Sequence, residues 1–228
     1  MRGEFACFTR PEFKTERVSY EVMTPSAACG ILKSIFWKPA VRWAIEEIAV
    51  LKPVRWFSIL RNEVRDCASP RVPYLVADDM KQRSQRHTLM LRDVDYVVKG
   101  FMELTEYDTD RNITKYEEIF ERRLEKGQCF QQPSLGMREF DADVRPAPED
   151  FQPIDQGIDR PLGTMFFDFV PTLVNHGKPA RPLSLLGYDL SQHEREPLFF
   201  HARMNHGRIK VPPLSMVLDE NGVRKVRS

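Results

Sequence analysis

The stretch TPSAACGILKSIFWKPAVRWAIEEIAV, residues 24–50, carries the pattern on which the fold prediction depends. Thr24 followed by Pro25 is a typical helix start, because threonine caps free backbone amides and proline fits the first helical turn. Apolar residues then recur at helical spacing until Pro39, and the residue before a proline avoids the helical conformation. The first half of the stretch therefore predicts a helix that ends before Pro39.

The second half of the stretch predicts a strand. Apolar and polar residues alternate from Val41, and the alternation shifts phase near residues 46–47, as it does at a β-bulge. The same order of elements recurs around it in the N-terminal part. We predict strands at residues 3–9, 93–104 and 136–144, and a helix over residues 112–127 that is capped by Asn112 or Thr114 and ended by Gly127.

This order of elements predicts an α+β fold with two parts. Residues 1–144 follow the order strand, helix, strand, insertion, strand, helix, strand, which is typical of a ferredoxin-like, RNA-recognition-motif-like domain. The insertion spans residues 53–92. Residues 145–228 are predicted to form a proline-rich acidic linker and a small β-rich C-terminal domain, with a hairpin turn at residues 205–207.

Composition narrows the class of protein. The 228 residues are 42% hydrophobic and 29% charged, as in a folded globular protein. No run of 18 apolar residues occurs and the N-terminus lacks a signal-peptide core, so we predict a cytoplasmic protein that does not enter a membrane. The cysteines at 7, 29, 67 and 129 are too far apart for a metal-binding or redox motif. We therefore expect no metal and no cofactor.

The net charge of +1 conceals an uneven distribution. Residues 1–65 hold 11 Lys/Arg and 7 Asp/Glu, a balance of +4, and residues 171–228 hold 9 and 5, also +4. Residues 139–170 hold 2 and 8, a balance of −6. Two interpretations stay open: ordinary surface variation, or a phosphate-binding face formed by the two basic parts.

Several long stretches together resemble the CRISPR-associated protein 5 family, subtype I-C. They are GEFACFTRPEFKTERVSYEVMTPSAACGILKSIFWKP (3–39), LRNEV (60–64), LRDVDYVV (91–98) and KGQCFQQPSLGMREF (126–140). The similarity covers most of residues 3–140 and continues more loosely beyond. It also leads us to expect that the family's first strand starts slightly before this sequence does.

The resemblance implies a function as well as a fold. Subtype I-C members cut the precursor CRISPR transcript beside each repeat hairpin, and they remain on the 5′ handle within the surveillance complex. The expected reaction needs no metal, because the ribose 2′-hydroxyl attacks the adjacent phosphate and leaves a cyclic phosphate. The expected partners are the repeat hairpin, the 5′ handle, and the backbone and large subunits of the complex; duplex DNA is left open.

Two of the three positions that the resemblance assigns to catalysis differ here. Family members carry a tyrosine before the Trp-Lys-Pro motif and a Lys-His pair at the start of the second helix; these positions are Phe36, Lys115 and Tyr116 in this sequence. Phe36 can only stack or pack, and an ordinary tyrosine is a poorer base at neutral pH than a histidine. Lys115 can still stabilise charge on phosphate oxygens. His87 is a spare candidate base or a solvated loop residue.

A second set of positions is expected to contact RNA. We expect Phe36 to stack on a base and Trp37 to close the core, while Tyr116 could instead only pack. The other candidates are three cations and a neighbouring aromatic residue of one loop, and one cation each in the Trp-Lys-Pro motif and near residue 136. They are Arg10, Lys14, Arg17, Tyr20, Lys38 and Arg138. Each of these could equally be an ordinary surface or turn residue.

Three functions are compatible with these observations. The first is an endoribonuclease that matures CRISPR RNA and stays bound to it, which retention of Lys115 favours. The second is a subunit that holds the 5′ handle without cutting, which the changes at Phe36 and Tyr116 favour. The third is general nucleic-acid binding, which needs only the basic parts of the chain. We adopt the first as the working prediction and keep the second as its alternative.

Overall fold

The structure is a computed structural model that describes residues 1–13, 15–66, 69–70, 74–76, 80, 82–105, 107–154, 159–171 and 195–217. Within this part of the chain the strands are β1 Arg2–Ala6, β2 Arg17–Val18, β3 Val41–Val50, β4 Trp56–Val64, β5 Arg83–Leu104, β6 Arg160–Pro171, β7 Arg195–Asn205 and β8 Arg208–Lys210. The helices are α1 Pro25–Ile35, α2 Ile113–Glu125 and α3 Leu214–Val217. The fold is therefore mixed, with much more sheet than helix.

All of these strands belong to one sheet, whose order is β1-β5-β3-β8-β7-β6. Strands β2 and β4 also pair with β5, on its N-terminal half. Every pairing is antiparallel except the short one between β2 and β5. Helix α1 packs against β3 and β6, and α2 packs against β5 and α1.

Helix α1 confirms the prediction made from residues 24–50. The Thr24 side chain accepts a hydrogen bond from the amide of Ala27 at 3.3 Å, which caps the helix start. The face of the helix that is turned to the core carries Ile31, Leu32 and Ile35, all buried. Phe36 has extended backbone angles and ends the helix. Its carbonyl oxygen accepts a hydrogen bond from the Trp43 indole at 3.2 Å, which ties the helix end to β3.

Strand β3 also has the predicted bulge. Its register with β5 shifts between Ile45 and Glu47, where the alternation of apolar residues changes phase in the sequence. Beyond the bulge, residues 47–49 pair with β8, so β3 is hydrogen-bonded on both sides there. The bulge therefore lies where the N-terminal and C-terminal parts of the sheet join.

The C-terminal part is β-rich, as the sequence predicts. Strands β7 and β8 form a hairpin whose turn contains His206 and Gly207, both with positive φ, and this confirms the predicted turn at residues 205–207. These strands continue the sheet through the pairing of β8 with β3. The division of the chain at residue 144 and the limits of the insertion at 53–92 stay predictions; β4 and the first half of β5, which form a hairpin, lie inside the latter range.

The predicted strand at residues 136–144 is wrong. This segment contains turns and makes only isolated bridges, between Ser134 and Asp141 and between Arg2 and Asp143. The physical reason lies at Gly136, which has a φ of +88° and sits against the backbone of Cys7. The chain then turns on itself, because the amide of Phe140 bonds to the carbonyl oxygen of Met137 at 3.0 Å instead of to a neighbouring strand.

Replacing Gly136 with alanine tests this close approach. The added Cβ would lie 2.0 Å from the Cys7 carbonyl oxygen in a left-handed backbone conformation. We expect Gly136→Ala to lower the free energy of unfolding by about 3 kcal/mol, measured by urea denaturation. Gly127→Ala is the matched control, because Gly127 has a φ of +61° but no atom within 4 Å of the added carbon. It should cost about 1 kcal/mol; equal losses in the two variants would contradict the close contact.

Candidate active site

The fold brings together the three positions predicted to be catalytic. Phe36 ends α1 and Tyr116 lies in the first turn of α2, and their ring centroids are 6.2 Å apart. Both rings are buried, with exposed fractions of 1% and 8%. Lys115 precedes Tyr116 and is half exposed at the rim of this pair. The result is a small apolar floor with one hydroxyl and one ammonium at its edge.

The hydroxyl of Tyr116 has a defined partner. It donates a hydrogen bond to Asp108 Oδ1 at 2.8 Å. This bond, followed by burial and the negative charge of Asp108, raises the pKa of Tyr116 above its ordinary value. Tyr116 therefore keeps its proton at neutral pH and cannot act as a base unless that proton moves to Asp108.

The ammonium group of Lys115 is also paired. Its Nζ lies 2.8 Å from Asp110 Oδ2, and the hydrogen bond and charge of Asp110 raise the pKa of Lys115. Lys115 is consequently an ammonium at neutral pH. Because both side chains are about half exposed, water screens this pair and a phosphate can compete with Asp110 for the ammonium.

Local backbone contacts shape the loop before α2, which is described at residues 105 and 107–112. Asn112 caps the helix through the amide of Lys115 at 3.3 Å, and the amide of Arg111 donates to Asp108 Oδ2 at 2.5 Å. Thr105 anchors the other end, because its hydroxyl donates to the Pro39 carbonyl oxygen at 2.7 Å. These contacts fix the loop between the end of α1 and the start of α2.

Sequence reasoning missed Asp108, Asp110 and Arg123. The two aspartates stand in the sequence YDTDRN directly before the helix cap, where acidic residues favour the positive end of a helix. Arg123 donates to the Ile35 carbonyl oxygen at 3.0 Å, and its guanidinium lies 5.5 Å from the centre of the Phe36 ring. The two aspartates could have been recognised from the sequence, because they stand just before a helix cap. The contact of Arg123 could not, because it depends on tertiary packing.

The expected burial of Phe36 and Trp37 is reversed. Phe36 is buried against Tyr116, so its ring is not available to stack on a base. Trp37 is 41% exposed and does not close the core. The cause is the extended backbone at Phe36, since successive side chains of an extended segment point to opposite sides. Trp43 on β3 fills the core position instead, with its ring 4.7 Å from that of Phe120.

The loop expected to present cations around an aromatic residue is only partly exposed. Tyr20 is buried, with an exposed fraction of 1%, and its hydroxyl accepts a hydrogen bond from the Phe166 amide. The expectation that Tyr20 contacts RNA is therefore wrong. Arg10 lies 4.5 Å from the centre of the Tyr20 ring, and Arg17 pairs with Glu63 at 3.1 Å. Lys14, the remaining member of this set, lies outside the described residues.

The other candidates lie apart from this loop. Lys38 and Arg138 are exposed and form no ion pair with a residue that the structure describes. His87 lies in the N-terminal half of β5 opposite Leu60, whereas the Tyr116 site follows the C-terminal end of that strand. The structure therefore does not bring His87 to the predicted catalytic positions.

The described residues contain neither a metal-binding cluster nor a membrane-spanning helix. No group of three or more His, Cys, Asp or Glu side chains in the described ranges has the arrangement of a metal site. Among the helices of the described part, none is long and apolar enough to span a membrane. Cys7, Cys29 and Cys129 are free thiols.

Comparison with known proteins assigns the chain to a family. The family model described as CRISPR-associated protein (Cas_Cas5) matches residues 1–212. A CRISPR pre-crRNA endoribonuclease Cas5d from Thermus thermophilus is 45% identical over 210 residues, covering 92% of this chain and 88% of that protein. Another, from Mannheimia succiniciproducens, is 41% identical over 225 residues and covers 92% of each chain. The chain belongs to the Cas5 family of CRISPR-associated proteins.

Solved structures show the same fold. A functionally uncharacterized protein from Streptococcus mutans superposes with a TM-score of 0.62 at 25% identity, covering 94% of this chain and 90% of that one. A CRISPR-associated protein superposes with a TM-score of 0.63 at 23% identity, covering 92% and 88%. The mixed fold with its predominantly antiparallel sheet is therefore shared with these proteins.

A spectroscopic titration tests the contact between Tyr116 and Asp108. The absorbance difference between wild type and Tyr116→Phe isolates the ionisation of this phenol, which should occur above the ordinary tyrosine value near pH 10. Asp108→Asn removes the negative charge, so the pKa of Tyr116 should fall in that background. Ionisation of Tyr116 at or below the ordinary value in wild type would contradict the hydrogen bond.

Proposed function

We propose that this chain is an endoribonuclease that cuts precursor CRISPR RNA at the repeat hairpin and stays bound to the 5′ handle in a type I-C surveillance complex. The observation that carries the proposal is its identity of 41–45% to two proteins named as CRISPR pre-crRNA endoribonucleases, over 92% of this chain. The proximity of Phe36, Lys115 and Tyr116 supports it, because these are the positions that the family resemblance assigns to catalysis.

The proposed reaction uses the RNA's own 2′-hydroxyl as the nucleophile. Attack on the adjacent phosphate places additional negative charge on its oxygens, and Lys115 is positioned at the rim of the site as an ammonium that can stabilise this charge. Asp110 holds the ammonium until a phosphate competes for it. Because the nucleophile belongs to the substrate, no metal-bound water is needed, and the reaction is proposed to be metal-independent.

The exposed groups around the site support an RNA-binding surface. Trp37 and Lys38 follow α1, and Tyr107 lies in the loop before α2, with Trp37 41% and Tyr107 51% exposed. The bond between Thr105 and Pro39 holds these two segments together. Exposed aromatic rings stack on unpaired bases and lysines neutralise phosphates, so this surface is suited to single-stranded RNA next to the hairpin.

The fold is proposed to contain a ferredoxin-like core. The strand order β1-β5-β3, the antiparallel pairing within it, and the bridge of Arg2 to Asp143 in place of a fourth strand support this assignment. The proposed boundaries are residues 1–144 for this core and 145–228 for the linker and the small β-rich part. The expected partners are the hairpin, the handle, and the backbone and large subunits; duplex DNA is left open, and the cytoplasm is the proposed location.

A second function is favoured by one observation. Lys115 is already paired with Asp110 and Tyr116 retains its proton, so neither of these two residues is a free base. A chain with this site could hold the 5′ handle without cutting it. Measured cleavage of the cognate repeat separates the two functions, since both require tight binding.

Lys115→Ala tests the proposed enzymatic function. Loss of the ammonium should lower the single-turnover cleavage rate of the cognate repeat hairpin by about 10²-fold, with much less effect on affinity. The reactions are run in excess EDTA, where wild type should keep its full rate. Lys126→Ala is the matched control, because Lys126 is an exposed cation at the other end of α2. Activity that returns only with added magnesium, or equal rates for wild type and Lys115→Ala, would contradict the proposal.

Trp37→Ala tests the RNA-binding surface. Removing a stacked ring should weaken binding of a hairpin with single-stranded flanks by about 1–3 kcal/mol, measured by fluorescence anisotropy. Phe36→Leu is the control, because this ring is buried and its replacement should alter stability more than affinity. A larger loss of affinity in Phe36→Leu than in Trp37→Ala would show that the wrong ring has been assigned to the RNA.

A further inference from the structure

The proposed reaction requires a group that takes the proton of the 2′-hydroxyl, and the site lacks the histidine that the family pattern would supply there. Tyr116 occupies this position, and its own proton is held in the bond to Asp108. A phenol that keeps its proton can accept another one only if it releases the first. The structure supplies a receiver for it, because Asp108 Oδ1 lies 2.8 Å from the Tyr116 hydroxyl.

We propose that Asp108 is the final proton acceptor of the cleavage step and that Tyr116 relays the proton to it. The inference rests on the proposed function, since it concerns the same RNA cleavage. In this proposal Asp108 and Tyr116 together accept the proton that a single histidine would otherwise accept. Neither the family resemblance nor the spacing of motifs points to Asp108.

The step balances in atoms and electrons. The 2′-oxygen forms a bond to phosphorus as its proton passes to the Tyr116 oxygen, while the Tyr116 proton passes to Asp108 Oδ1. The bond from phosphorus to the 5′-oxygen breaks, and this oxygen takes a proton from the Lys115 ammonium. The products are a 2′,3′-cyclic phosphate and a 5′-hydroxyl. Proton exchange with water then restores the Asp108 carboxylate and the Lys115 ammonium, so no further reactant is consumed.

The arrangement around Asp108 suits this role. Its other oxygen, Oδ2, accepts the Arg111 amide at 2.5 Å, which fixes the carboxylate and directs Oδ1 to Tyr116. Packing of the Tyr116 ring against Phe36 fixes the phenol from the other side. Asp108 is half-buried, so the pair is partly shielded from water, which would otherwise compete for the same hydrogen bond.

Charged side chains lie around the pair of Tyr116 and Asp108. The Lys115 ammonium attracts the Asp108 carboxylate. The Asp110 carboxylate repels other negative charge nearby and is itself paired with the Lys115 ammonium. The Arg123 guanidinium approaches from α2 over the Phe36 ring. The relay uses Asp108 as a carboxylate, because only this form can take up the proton that Tyr116 releases.

Asp108→Asn tests the relay. Asparagine has one acceptor oxygen, so it can accept the hydrogen bond from Tyr116 or that from the Arg111 amide but not both, and it cannot take up a proton. The single-turnover rate should fall by about 10²-fold or more, within the range for loss of a general base, and Asp108→Glu, which keeps a carboxylate, should recover part of it. Hairpin affinity should stay close to wild type, and the thermal midpoint shows how much stability the lost acceptor costs. Glu118→Gln, the same chemical change at an exposed position of α2, should leave the rate unchanged.

The outcomes separate this inference from the function on which it rests. Absence of cleavage by wild type from pH 4.5 to 9 overturns both. Cleavage by wild type together with a rate for Asp108→Asn within tenfold of it, or no recovery of the lost rate in Asp108→Glu, overturns the relay alone. If Asp108→Asn does not fold, Tyr116→Phe is judged by its rate, because it removes the other member of the relay.

Discussion

Strand β5 is the element on which the rest of the structure depends. Its 22 residues pair with β1, β2, β3 and β4, and a residue of positive φ at Asp93 divides it into two halves. The first half carries the hairpin with β4, and the second half carries β3 and, through it, the C-terminal strands. The end of β5 leads directly into the loop that holds Asp108 and Asp110. The geometry of the proposed site is thus fixed by the most extensively paired strand of the sheet.

The proposed site is apolar on the side of α1 and acidic on the side of the loop before α2. With a phenylalanine at the end of α1, this side of the site has no hydroxyl, and its ring serves to hold Tyr116 in place. The polar partners come instead from the loop before α2, through Asp108 and Asp110. The family resemblance assigns a histidine to position 116, and in the proposed relay Tyr116 and Asp108 together take the proton that this histidine would take.

Sequence alone predicted the elements that local signals define. Caps and apolar spacing identified α1 and α2, and the phase shift in β3 identified the bulge, because these features depend on neighbours in the chain. The burial of Phe36 and exposure of Trp37 could not be predicted, since a change of backbone conformation at a single residue decides which ring faces the core. The segment after Gly136 was wrongly predicted as a strand because its apolar and polar residues alternate. The contact of Gly136 with the backbone of Cys7 could not be predicted, since Cys7 is distant in sequence.

The most direct test of the proposed cleavage mechanism is a change in the RNA rather than in the protein. Once wild type has defined the cut, the ribose that supplies the 2′-hydroxyl there is replaced by deoxyribose, and cleavage and binding of the two RNAs are compared. The proposed mechanism predicts that the deoxy RNA binds as tightly as the all-ribose RNA and is not cut. The all-ribose RNA should be cut to give a 2′,3′-cyclic phosphate. Cleavage of the deoxy RNA at the same site and rate would show that water is the nucleophile and would contradict the mechanism proposed for Lys115, Tyr116 and Asp108.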